Sequence, residues 1–130
     1  MTCRVSRLIL LAAVGTLLLL LPGCTGGRAL EAYSTATGGD AHRGKAVIVQ
    51  YSCGSCHTIP GVPGARGLVG PPLTMMGRRT FVAGEIPNTP DNLVKWISSP
   101  QSVEPATAMP TLGLTDQQAR DAAAYLYTLR

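Results

Sequence analysis

The chain has 130 residues, enough for one domain, and 45% of them are hydrophobic against 14% charged. Eleven Lys and Arg against seven Asp and Glu give a formal charge of +4, but no basic stripe and few aromatics accompany it, which sets nucleic-acid binding aside. Four cysteines are too few and too badly placed for a disulfide scaffold.

Residues 1–23 read as an export leader. Arg4 and Arg7 give a positive start, and 8–21 is an almost unbroken apolar run, short for a membrane span of about 20 residues but suited to the core of a signal peptide. The run ends in Leu21-Pro22-Gly23-Cys24, which resembles the lipobox of bacterial lipoproteins, where cleavage precedes a cysteine that takes diacylglycerol. Pro22 departs from the small or β-branched residue usual there. An uncleaved anchor with an incidental cysteine is the plainer alternative. Either reading puts the rest of the chain outside the cytoplasm and at a membrane. Since Arg4 and Arg7 belong to the leader, the remainder of the chain is closer to charge balance than the whole. Residues 24–37 are rich in Gly, Ser, Thr and Ala without a period, and predict a flexible tether from a lipidated Cys24.

The domain proper is expected over 38–130. A helix is predicted at 40–51, capped by Thr37 or Asp40, with Val47, Ile48 and Tyr51 facing inward. Glycine inside a helix costs about 1 kcal/mol against alanine, so Gly44 implies a second helix crossing closely. Cys53-Gly54-Ser55-Cys56-His57 comes next. Two thiols from one tight turn can add to the two vinyl groups of a porphyrin, and the adjacent imidazole is then placed to ligate its iron, so the motif reads as covalent haem c attachment. A thiol redox pair and half of a zinc site are the alternatives. The first needs no adjacent His, and the second needs two more soft ligands. The haem reading leaves no cysteine pair for a disulfide: Cys3 leaves with the leader, Cys24 takes lipid, and Cys53 and Cys56 take haem.

Residues 58–72 are Gly- and Pro-rich and predict an irregular loop, in which a backbone carbonyl is the expected acceptor for the second ring nitrogen of His57. A short helical turn is predicted over 73–79. Arg78 and Arg79 are solvated charges or, for one of them, a partner for a haem propionate. Thr89 and Pro90 open a helix as N-cap and first residue, Leu93, Trp96 and Ile97 share its face, and Pro100 stops it. Trp96 is ordinary core or packs at a haem edge. Met109, before Pro110 in an extended loop, is the candidate sixth iron ligand. Its rivals are Met75, Met76 and His42, the last expected to face solvent. Thr115 and Gln118 form a capping-box pattern for a final helix whose Ala119, Ala122, Ala123, Tyr125 and Leu126 can approach Gly44.

Together these elements resemble the class I cytochromes c over 38–130, which implies an all-α fold wrapped around one haem. Gly44, Ile48 and Tyr125 match that family's contact between first and last helices. Pro71, in Gly70-Pro71-Pro72-Leu73-Thr74, matches the proline whose carbonyl accepts from the haem histidine, and Arg79 matches an arginine near the propionates. The run from Gly70 through Asn88-Thr89-Pro90-Asp91-Asn92-Leu93, Trp96 and Pro100-Gln101 to Met109-Pro110 resembles the cytochrome c domain fused to subunit II of some haem-copper oxidases. Pro105-Ala106 replaces the Pro-Gly usual before the Met loop.

The expected function is one-electron transfer with His57 and Met109 as axial ligands, between protein donor and acceptor in a membrane respiratory chain, with no small-molecule substrate. A fixed haem subunit of a larger respiratory complex is the nearest rival. A haem enzyme or gas sensor needs an open sixth site, and a thiol oxidoreductase leaves Met109 unexplained. Poor folding without haem is expected, since a domain this small buries little on its own.

Overall fold

The computed structural model describes residues 26–130, so the leader and Cys24 lie outside the described residues. Four α-helices carry the described chain: α1 (Gly26–Thr37), α2 (Ala41–Gln50), α3 (Pro90–Ser98) and α4 (Asp116–Thr128). Between them run long loops with tight helical turns at Cys53–Ser55, Met76–Arg78 and Pro100–Ser102. One antiparallel hairpin, β1 (Phe81–Val82) with β2 (Ile86–Pro87), pairs Val82 with Ile86. The fold is all-α apart from that hairpin.

Each helix start has a local cause. The Asp40 carboxylate accepts from the Arg43 N–H at 2.8 Å and caps α2. Thr89 caps α3 by accepting from the Asn92 N–H at 3.3 Å, with Pro90 next to it. Thr115 and Gln118 make the full reciprocal box at α4: the Gln118 N–H reaches the Thr115 hydroxyl at 3.2 Å, and the Thr115 N–H reaches Gln118 Oε1 at 2.9 Å.

The tether expected at 24–37 is corrected: from Gly26 onward it is helix α1, packed on α4 and also touching α2 and α3. Composition misled because the helix is held by docking on α4, which a Gly-, Ser- and Thr-rich stretch does not announce. Thr37 is 1% exposed and donates to the Tyr33 carbonyl at 2.9 Å, and Arg120 Nη1 donates to the Thr37 carbonyl at 3.1 Å. The Arg130 guanidinium lies 5.0 Å from the centre of the Tyr33 ring. Thr37 therefore closes α1, and Asp40 alone caps α2.

Helices α2 and α4 cross at Gly44. A Cβ there would overlap the Asp121 carbonyl and sit 3.0 Å from Tyr125 Cβ. Alanine would gain about 1 kcal/mol of helix propensity. Overlap with a backbone carbonyl that cannot rotate away costs about 1–3 kcal/mol, so glycine is favoured. Ala119, Ala122 and Ala123 keep the facing helix equally thin, and Val47, Ile48, Leu93, Val94, Ile97 and Leu126 complete a buried cluster with them.

Asp121, 3% exposed, ties the same crossing together. It accepts from the Asp40 N–H at 2.7 Å, from Arg43 Nε at 2.9 Å and Nη2 at 2.8 Å, and from Gln117 Nε2 at 3.0 Å. Burial alone would raise its pKa. The donors, Arg43 first among them, outweigh burial and hold the carboxyl below its ordinary range. This stabilisation is present above the unfolded carboxylate pKa of about 3.9 and is lost as pH falls through the folded value.

Candidate haem site

The turn that carries the two thiols is built by backbone. Ser52 takes a left-handed conformation, φ 54°, and reverses the chain after α2. The Cys56 and His57 N–H groups then both donate to the Cys53 carbonyl, at 3.3 and 3.0 Å. Cys53 and Cys56 are free and half-buried. Burial pushes the Cys53 thiol above its ordinary range, and the adjacent Cys56 pushes it the same way. A CxxC oxidoreductase needs the opposite, a lowered pKa that yields thiolate. Among the described residues no three His, Cys, Asp or Glu side chains are placed to hold one metal ion, so no zinc donor set surrounds the pair.

Three glycines press the following loop onto this turn. A Cβ at Gly54 would overlap Ala65, one at Gly67 would overlap the Ser55 carbonyl and Cys56, and one at Gly70 would overlap the His57 imidazole. The Gly67 N–H donates to the Gly54 carbonyl at 3.0 Å, and the Gly70 N–H to the Cys56 carbonyl at 2.8 Å. The loop thereby brings the Pro71 carbonyl to 2.7 Å from His57 Nδ1. A carbonyl only accepts, so Nδ1 carries the proton and Nε2 keeps its lone pair for a metal. This is the carbonyl expected from the sequence.

The remaining sequence candidates sit in several separate elements. Arg79 Nη2 donates to the Pro72 carbonyl and, at 3.4 Å, to the Thr74 carbonyl, which braces the segment after Pro71. Arg78 is exposed. Trp96 is partly buried and packs on the hydrophobic cluster. Met109 is half-buried in its loop, while Met76 is 4% exposed inside the cluster and Met75 is 49% exposed. His42 lies on the exposed side of α2.

Two polar residues that the sequence gives only as part of the oxidase-like run, with no role of their own, act through their side chains. Asn88 Nδ2 donates at 2.9 Å to both the Met76 and Arg79 carbonyls, and its Oδ1 accepts from the Tyr127 hydroxyl at 3.0 Å, so it staples the arginine segment to α4. Gln101 holds the Met109 loop from the end of α3. Neither lies on a periodic pattern; the one available hint was a lone amide beside a helix boundary.

The centre fits a covalently held porphyrin. Both thiols leave one turn beside an imidazole with a free Nε2, and the glycine cradle fixes that geometry. Among the described residues, most large exposed apolar side chains follow this turn in sequence, in loops or in β1: Leu68 at 86%, Val69 at 79%, Met75, Phe81 and Leu112. A macrocycle would hold to Cys53, Cys56 and His57 and supply an apolar body for such a surface.

Comparison with known proteins agrees with this geometry. Residues 41–130 match the Cytochrome c family. A 91-residue segment is 33% identical to cytochrome c oxidase subunit 2 of Alkalihalophilus pseudofirmus, covering 69% of this chain and 26% of that protein. No solved structure matches the chain. A thiol turn, a histidine fixed through its far nitrogen and a family match running from α2 to the last residue lead to one conclusion: the chain belongs to the cytochrome c family, class I in fold, as an electron-transfer domain with one covalently bound haem c.

Proposed function

We propose that the protein is a membrane-tethered one-electron carrier of a respiratory chain, held by lipid on Cys24 at the extracytoplasmic face of a bacterial membrane, with His57 and Met109 as axial ligands. The observation that carries the reading is the His57 Nδ1–Pro71 bond of 2.7 Å, which leaves Nε2 available to iron. Haem c, when bound, supplies a one-electron ferric–ferrous couple. The chain's own part is to hold both ligands still. His57 is fixed by Pro71 and Gly70, and Met109 by its loop, so little reorganises when charge changes. A thioether sixth ligand favours the reduced state. Met109 is supported over its rivals because Met76 is committed to the hydrophobic cluster and His42 lies on the outer side of α2. Arg79 is proposed to lend positive charge near the propionates, and Trp96 to pack at the haem edge. Electrons would pass at the edge near Cys53 and Cys56, where Leu68 and Val69 offer an apolar docking surface.

Ligation is tested with carbon monoxide. The reduced wild-type protein is expected to resist it, and Met109→Ala is expected to bind it and lose the long-wavelength absorption of thioether-ligated ferric haem. An unchanged spectrum in that variant would remove Met109 as ligand. Ready carbon monoxide binding by the wild type would favour a haem enzyme or gas sensor.

A second reading is favoured by the likeness to an oxidase subunit 2: a fixed haem subunit of a larger respiratory complex. Among the described residues no helix is long and apolar enough to cross a membrane. Mild-detergent extraction of native membranes and a native gel stained for haem separates the two. The carrier is expected near its own size in the detergent fraction, the fixed subunit with a large complex.

A further inference from the structure

The Met109 loop has no helix or strand of its own, yet it must present a thioether at one place. Its support comes from Gln101. This residue sits in the turn Pro100–Ser102 directly after α3, and Pro100 is among the most deeply buried side chains of the fold. The turn is closed by the Ser102 and Val103 N–H groups, which donate to the Ser99 and Pro100 carbonyls, both at 3.0 Å. From that base the Gln101 amide reaches across the loop in two directions. Its Nε2 donates to the Met109 carbonyl at 2.7 Å, and its Oε1 accepts from the Thr111 hydroxyl at 2.6 Å. The two bonds bracket Pro110, whose ring already fixes φ.

The Met109 N–H also donates to Thr107 Oγ1 at 3.2 Å, and the Thr107 N–H donates to the Glu104 carbonyl at 3.1 Å. Among the described residues, the hydrogen bonds that hold 108–114 from outside are the two from Gln101 and this one to Thr107. The far end is held by Leu114, which packs on the buried cluster. Met109 thus sits between an apolar anchor, the Thr107 hydroxyl and the Gln101 amide, which alone grips the strap beyond Met109.

We propose that Gln101 is the positioning residue for the sixth ligand: its side-chain amide latches the Met109 strap shut and sets how often the thioether leaves the iron. The inference rests on Met109 as that ligand. A latch of this kind controls opening, because Met109 and Thr111 must release Gln101 before the thioether can swing away. Either amide atom has a separate role, so the two bonds can be removed one at a time.

The test is the limiting rate at which excess cyanide replaces the thioether in the ferric holoprotein, where strap opening controls the exchange. Losing one hydrogen bond is expected to speed opening about five-fold. Thr111→Val is therefore expected to exchange about five-fold faster than wild type, Thr111→Ser, which keeps the hydroxyl, near the wild-type rate, and Gln101→Ala faster than Thr111→Val. Each variant must retain the long-wavelength thioether band before cyanide is added. Equal rates in wild type and Gln101→Ala, with the band present, would overturn the latch while leaving Met109 as ligand. A wild-type protein without the band would overturn the ligand and the latch together. If Gln101→Ala accumulates no haem protein, the threonine pair decides: Val and Ser exchanging alike would sink the proposal.

Discussion

Changing Cys53 and Cys56 together to alanine is expected to give a colourless chain with no cooperative unfolding transition. The side chains of this domain cannot stand in for the lost cofactor. The largest fully buried ones are Ile48, Leu93, Val82, Thr37 and Pro100, and no aromatic is among them. The helix crossing is lined by alanines, which give closeness but little apolar area. Net stability of a small domain is about 5–15 kcal/mol, a small difference between large terms, and an apolar body that the fold buries supplies a large share of it. A haem-stained denaturing gel should lose its band, and the far-ultraviolet signal should decline without a sigmoid on heating. A sharp transition in the colourless chain would show that the helices suffice by themselves.

Gly70→Ala is expected to be nearly as damaging for a single methyl group. Its Cβ would overlap Cε1 of the His57 ring and lie within 2.7 Å of Nδ1 and 2.9 Å of Nε2. The loop cannot step back, because the Gly70 N–H is bonded to the Cys56 carbonyl and the Leu73 N–H to the Thr58 carbonyl, both at 2.8 Å. The ring would therefore turn, and the bond to Pro71 would be lost with the ligand's orientation. Loss of such outer support typically weakens metal binding by about 10–100-fold. Strain of about 1–3 kcal/mol would be added to the fold. The expected result is covalent haem in normal amount with a perturbed iron spectrum and a lower midpoint in urea. A wild-type spectrum in Gly70→Ala would mean that the cradle yields more easily than its bonds suggest.

Much of this architecture was legible because its signals are short and chemical. Cys53, Cys56 and His57 announce the cofactor, Thr89 and Thr115 announce helix starts, and Gly44 announces a crossing that the structure shows against Asp121. The hairpin was not read, although Ala83 and Gly84, with φ 56° and 80°, form a turn between the apolar pairs Phe81–Val82 and Ile86–Pro87. Two-residue strands are too short for an alternation to register. The Asp121 cluster escaped for another reason: its partners Asp40 and Arg43 lie 81 and 78 residues away, and only the crossing brings them together. Gln101 shows the same limit, since an amide in a loop acquires meaning only when the second loop is in place.

Helix α1 changes what the start of the domain can do. It runs as one helix from Gly26 to Thr37, clasped by Arg120 at its last residue and by Arg130 over Tyr33. Whatever is joined ahead of Gly26 meets a mast instead of a leash. If Cys24 carries the proposed lipid, Thr25 is the sole residue between membrane and mast, and the haem edge is held at one height and one heading. Such a protein would travel by drifting in the plane of the bilayer, and its partners would have to present their own redox centres at that level.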